Sequence, residues 1–154
     1  MIKIIPFNEK YRDNVISLIL DIYENELDFK GYDRPDIYNI TDTYQKNHNS
    51  NFWVAINNNE IVGTVGVLGK TEELVYLKRM VVKKGFRRQG LGQQLLQTAL
   101  TFSKNHGFKT IYAGTVKENQ NVINFYKNRG FDYSEDVPKD ITAADNSICL
   151  KLDL

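Results

Sequence analysis

The chain has 154 residues, 42% of them hydrophobic and 25% charged, with 20 basic side chains against 19 acidic ones. That length suits one domain, residues 1–154, with a proper core, and the charge balance singles out no partner. No apolar run reaches the 18 or so residues of a membrane helix, and the N-terminus has no long apolar stretch after a basic start, so a soluble, cytoplasmic protein is expected. Cys149 stands alone and cannot form an internal disulfide. His48 and His106 lie in separate polar stretches, so neither a metal site nor a Ser/His/Asp set is indicated.

Along the chain, MIKIIPF is predicted as a first strand, and Val15, Ile16, Ile19, Ile22, Tyr23 and Leu27 form the stripe of a helix between about Glu9 and Leu27. The polar, tyrosine-rich stretch that follows is broken by Gly31 and Pro35 and reads as a loop with a short helix after Pro35. FWVAI and IVGTVGVL, joined by NNNE, form a predicted hairpin, and LVYLKRMVVK is a third strand of that group. A second helical stripe runs from Arg88 to His106 through Leu91, Leu95, Leu96, Ala99, Leu100 and Phe102. His106 and Gly107 mark its end. TIYAGTV is a strand, Asn119 to Asn128 a helix, and FDYSE and SICLKLDL are closing strands. The fold class is α/β (α+β): a mixed sheet with antiparallel strands first and a strand-helix-strand crossover in the middle.

The strand LVYLKRMVVK has a fault in its alternation. Val75 and Leu77 share one face, but Met80 and Val82 join them only if one residue is inserted near Lys78 and Arg79. Such a bulge bends a strand and is common beside active sites; a strand buried on both faces gives the same pattern without one.

After that strand comes a turn with Gly90 and Gly92 at the head of a helix, where each glycine costs about 1 kcal/mol relative to alanine. Unpaired N–H groups and the helix dipole make such a turn an anion site, and glycines let phosphates approach the main chain. Lys78, Arg79, Lys83, Lys84, Arg87 and Arg88 surround it with no acid between them. A P-loop does not fit: GKT at Gly69 to Thr71 has Thr64 where the first glycine belongs, and it ends a strand. A dinucleotide fingerprint starting at Gly90 meets Leu95 at its third glycine position.

The sequence Arg87-Arg88-Gln89-Gly90-Leu91-Gly92, preceded by MVV, resembles the acyl-CoA pyrophosphate loop [QR]-x-x-G-x-[GA] of the GNAT superfamily of N-acetyltransferases. NQNVINFYKNRGF, Asn119 to Phe131, is similar to the family's second signature. The resemblance is close from about Phe52 to Tyr133. It implies a splayed, bulged strand whose main chain at Met80, Val81 and Val82 binds the pantetheine arm of acetyl-CoA. It also implies that Arg87, Arg88, Gln89, Gly90, Leu91 and Gly92 hold the pyrophosphate, and that Tyr126 is the general acid for the leaving thiolate. Asn119 is either a cofactor contact or the helix cap its residue type favours.

The implied reaction is direct attack of a primary amine on the thioester, with no metal, membrane or nucleic acid involved, by a chain acting alone or as a homodimer. Many relatives place an acid in the strand before the loop, where this chain has Tyr76, which leaves Glu73, Glu26 or a water chain as base. Glu24, Glu26, Asp28, Asp33, Asp36 and Asp42, with Tyr32, Tyr38 and Tyr44, either attract a cationic amine or solvate a loop. Two other functions compete: a non-catalytic acyl-CoA-binding sensor, and a nucleic-acid-binding domain. The latter ranks last, because Phe86 is the one aromatic beside the basic run.

Overall fold

The computed structural model describes residues 1–28, 33–136, 138, 140 and 147–154. Gly31 and Tyr32, assigned above to a loop, lie outside the described residues. Strand β1 (Ile2–Pro6) pairs antiparallel with β2 (Asn51–Asn57), and β2 with β3 (Glu60–Gly69). Asn58 and Asn59 turn the β2–β3 hairpin at φ of 50° and 70°, the left-handed pair of a tight hairpin turn that asparagine tolerates. Between β1 and β2 the chain forms α1 (Arg12–Asp21), which ends in a π-helical turn over Ile22–Glu26. It then forms the short α2 (Pro35–Tyr38) and a second π-helical turn, Thr41–Gln45. The expected long first helix is thus present, with its last turn widened.

The sheet continues with β4 (Leu74–Val82), β5 (Thr110–Val116), β6 (Asp132–Tyr133) and β7 (Ser147–Asp153), in the spatial order β1-β2-β3-β4-β5-β7-β6. The last hairpin therefore inserts its second strand beside β5. Helix α3 (Leu91–Asn105) makes the crossover from β4 to parallel β5, and α4 (Gln120–Lys127) follows β5. The α3 stripe buries Leu91, Leu95, Leu96, Ala99 and Leu100 as its periodicity requires, although the helix starts at Leu91, after the glycine turn, and not at Arg88. A sheet face with α3 and Tyr126 of α4 forms one core. The opposite face packs on Val15, Leu18, Ile19 and Ile37 of α1 and α2.

Both readings of β4 apply, to different halves. Its first half is buried on both faces, with Val75, Tyr76 and Leu77 each at most 5% exposed. Its second half is bulged: Thr64 pairs with Val81 and Gly66 with Lys78, so Val65 faces two residues, and Arg79 takes a left-handed φ of 53°. Buried Thr64 pins the bulge by donating its hydroxyl to the Arg79 carbonyl at 2.7 Å. The inserted residue returns Met80 and Val82 to the face of Val75 and Leu77.

The bulge has a larger consequence on the other edge of β4. Parallel pairing with β5 runs from Leu74↔Thr110 to Leu77↔Ala113 and stops there. Beyond that point β4 continues to Val82 and β5 to Val116, and β5 stays fully paired with β7. The two strands splay, leaving the β5-facing main chain of Lys78 to Val82 without a ladder partner.

Candidate active site

The glycine turn lies at the open end of this splay. Gly90 occupies the N-cap position of α3 with φ of 84°, a conformation that L side chains rarely adopt, and it has no side chain with which to cap the helix. Gly92 is different. A Cβ there would lie 3.5 Å from Phe125 Cε2 and 3.9 Å from Val82 Cγ2, ordinary contact distances. The fold has room for a side chain at 92, so what glycine keeps clear is the gap between β4 and α4.

Of the loop cations, Arg87 turns back onto the protein, with Nε donating to the Val82 carbonyl at 2.7 Å and Nη1 to Glu26 Oε1 at 2.6 Å. Met80 and Val82 lean on the α3–α4 core, whereas Val81 belongs to the core under α1 and α2. Asn119 sits at the N-cap position of α4, but its side chain makes no capping hydrogen bond.

Tyr126 is 6% exposed, and its ring packs against Phe125 and Phe131 with centroid separations of 5.5 Å and 5.0 Å. Burial, with a smaller contribution from Tyr23, pushes its hydroxyl well above the usual tyrosine range, so it stays protonated at neutral pH. Tyr126 belongs to the core on one side of the sheet and Tyr23 packs against the core on the other.

On the α1–α2 face, the bulge aims Arg79 at Asp36. Its Nε and Nη2 donate to the two carboxylate oxygens at 2.9 Å and 2.7 Å, and the Tyr44 hydroxyl donates to the same carboxylate at 2.7 Å. Burial alone would raise the Asp36 pKa, but Arg79 and Tyr44 together bring it below the ordinary carboxylate value. The Arg79 and Arg34 guanidiniums both lie over the Tyr23 ring, at 5.6 Å and 5.1 Å from its centroid. Lys78 shares this face, and burial followed by the nearby Arg79 charge lowers its pKa. Tyr76 donates its hydroxyl to Asp140 Oδ1 at 2.7 Å, while Lys70 holds Oδ2.

The candidate bases are separated by position. Glu73 precedes β4 at the end away from the splay and pairs with Lys109 at 3.0 Å. Glu26 lies beside the loop, engaged by Arg87. Cys149 is buried, and desolvation pushes its thiol up to about 11, so it is not an available nucleophile.

Sequence reasoning treated Asp36 and Tyr44 only as members of an acidic, tyrosine-rich loop, and placed Lys78 and Arg79 in a basic run and at a bulge without giving their side chains a role in the site. The signal that could have found them was the bulge itself: inserting one residue at Arg79 places both Lys78 and Arg79 on the face opposite Leu77.

A glycine turn at the head of a helix thus stands at the end of a splayed parallel strand pair. The profile of the Acetyltransferase (GNAT) family matches residues 15–131, and the chain belongs to that family. It is 31% identical over 126 residues to "Probable N-acetyltransferase camello" of Xenopus laevis, covering 78% of this chain and 58% of the frog protein. The chain thus spans little more than half the length of that relative. A GNAT-family acetyltransferase structure from Staphylococcus aureus Mu50 superposes with a TM-score of 0.90, at 34% identity and 99% coverage of both chains. The PaiA N-acetyltransferase of Thermoplasma acidophilum, solved with coenzyme A, shares the fold at a TM-score of 0.77 and 16% identity, covering 100% of this chain and 99% of its own.

Proposed function

We propose that this chain transfers an acetyl group from acetyl-CoA to a primary amine in a ternary complex. The observation that carries the reading is continuity: a strand edge without a β5 ladder partner, Lys78 to Val82, leads directly into the glycine turn at the head of α3. Acetyl-CoA has matching parts, a pantetheine arm whose amides can extend a sheet edge and a pyrophosphate suited to a helix N-terminus. In this reading the main chain of Met80, Val81 and Val82 holds the arm. Arg87, Arg88, Gln89, Gly90, Leu91 and Gly92 hold the pyrophosphate, with Asn119 as a further cofactor contact. Gly92 keeps the gap beside Val82 clear for it.

The amine enters from the α1–α2 face and attacks the thioester carbon, the C–S bond breaks, and the thiolate leaves. A main-chain N–H of Met80 to Val82 faces the thioester oxygen and stabilises its developing charge. Tyr126 donates to the sulfur. The proton lost by the amine passes to Glu26 or a water chain, since Glu73 is at the wrong end of β4. The work is done in the cytoplasm, where acetyl-CoA is available.

The test is thermal unfolding with acetyl-CoA. Ligand at a hundredfold excess over Kd should stabilise the wild-type protein by about 2.7 kcal/mol. Gly92→Ala should remain folded, because a Cβ there would meet Phe125 and Val82 only at ordinary contact distances of 3.5 Å and 3.9 Å, but should weaken the acetyl-CoA effect. A folded wild-type sample with no shift at saturating acetyl-CoA would overturn the assignment.

A further inference from the structure

The reaction above leaves one charge on the acceptor side of the sheet without a role. Lys78 is the first residue of β4 past the last pair with β5, Leu77↔Ala113, so it stands at the apex of the splay. Leu77 faces the α3–α4 core, and alternation directs Lys78 to the other face, with Tyr76, Asp36 and Asp140. It is half-buried, and among the described residues it makes neither an ion pair nor a side-chain hydrogen bond.

The carboxylates nearest to it are already committed. Asp36 receives Arg79 and Tyr44, and Asp140 receives Lys70 and Tyr76. Each acid is balanced by its own cation, so the ammonium of Lys78 is the residual charge of this cluster. Arg34 brings another guanidinium to the same face, against Tyr23. A partly desolvated ammonium without a counter-ion is unfavourable, and a bound anion that hydrogen-bonds to it relieves that cost. Met80, where the main chain is assigned to the pantetheine arm, follows two residues later. An anion held by Lys78 would thus lie about a side chain's length from the reacting carbon.

We infer that Lys78 anchors an anionic group on the acceptor, a carboxylate in the simplest case, so that the acceptors are small amino acids or comparably compact anionic amines, not polyamines. This deepens the acetyl-transfer reading and rests on it. Lys78 selects the acceptor and positions its amine; it takes no proton in the reaction.

The experiment titrates N-acetyl amino acids, the expected products, and their primary amides into the protein by calorimetry, with and without CoA. A panel of the common amino acids is used, and kinetics with the parent amino acids and their amides accompany it. At least one acid should bind tenfold or more tightly than its amide. Lys78→Met should abolish that preference and Lys78→Arg should retain most of it; comparing preferences between variants cancels the intrinsic basicity of each amine. If Lys78→Met fails to fold, Lys78→Gln serves in its place. No acid favoured over its amide in the wild type, or a preference that survives loss of the Lys78 charge, would overturn the inference. Because these titrations need no turnover and are also run without CoA, they decide the role of Lys78 even if acetyl-CoA itself fails to bind, which would instead count against acetyl transfer.

Discussion

The Tyr126 hydroxyl and a departing CoA thiolate are not matched for full proton transfer. A thiol titrates near 8.5 and a free tyrosine near 10, and burial raises Tyr126 further. In the proposed reaction its contribution is therefore a strong hydrogen bond to the developing thiolate, an interaction made mainly in the transition state. Tyr126→Phe should lower kcat by roughly 10²-fold with acetyl-CoA affinity nearly unchanged. Steady-state kinetics at a pH where the amine is partly neutral would show this, and full activity of the variant would reduce Tyr126 to a packing residue. Asp36 supports the site differently, because its side chain and that of Arg79 are each 15% exposed. Asp36→Asn leaves Arg79 buried without its counter-charge and should cost roughly 3 kcal/mol, read from the shift in denaturant midpoint. The Asp36 pKa is lower in the folded protein than in the unfolded chain. Its contribution is thus fully present above the unfolded value, near 3.9, and is lost as pH falls through the folded value. Acid unfolding of the wild type below about pH 4 should include this component, and the asparagine variant should lack it.

Strand β4 and the turn after it carry most of what was readable in advance. The alternation fault at Lys78 and Arg79 was visible because four apolar residues, Val75, Leu77, Met80 and Val82, need one common face. The helix stripes of α1 and α3 were equally legible, since burial of one face writes a period of about 3.6 into the sequence. The Asp36–Arg79 pair was not, because its partners are 43 residues apart and no local period marks such a contact. The same holds for Tyr76 and Asp140, 64 residues apart, and for the insertion of β7 between β5 and β6, which depends on pairing and not on pattern. Glu73 stands at the β5-paired end of β4, since pairing between the two strands ends only at Leu77↔Ala113. The bulge itself can be tested through Thr64, which is fully buried and bonded to the Arg79 carbonyl. Thr64→Val leaves that carbonyl without its donor and should lower stability by about 1–3 kcal/mol. Acetyl-CoA affinity should fall with it, because the bulge sets the splay; a variant with wild-type affinity would show that the two are independent.

The whole molecule is a sheet with a core on each face, and pairing between its two central strands, β4 and β5, ends at Leu77↔Ala113. In the proposed reaction cosubstrate and acceptor meet at the splay beyond that pair from opposite faces, and no acyl-enzyme is formed. Cys149, buried and with its thiol pushed up to about 11, fits the same conclusion. Cys149→Ala should remain active, and initial-rate plots against both substrates should intersect; parallel lines would indicate a covalent intermediate instead. The decisive measurement is the release of CoA thiol from acetyl-CoA by the wild-type chain, followed over a panel of amines that includes amino acids. Release that requires an amine and saturates in both amine and acetyl-CoA is the expected result. Tight acetyl-CoA binding with no amine-dependent release above the protein-free rate, for any amine in the panel, would contradict it and make the chain an acyl-CoA sensor built on an acetyltransferase fold.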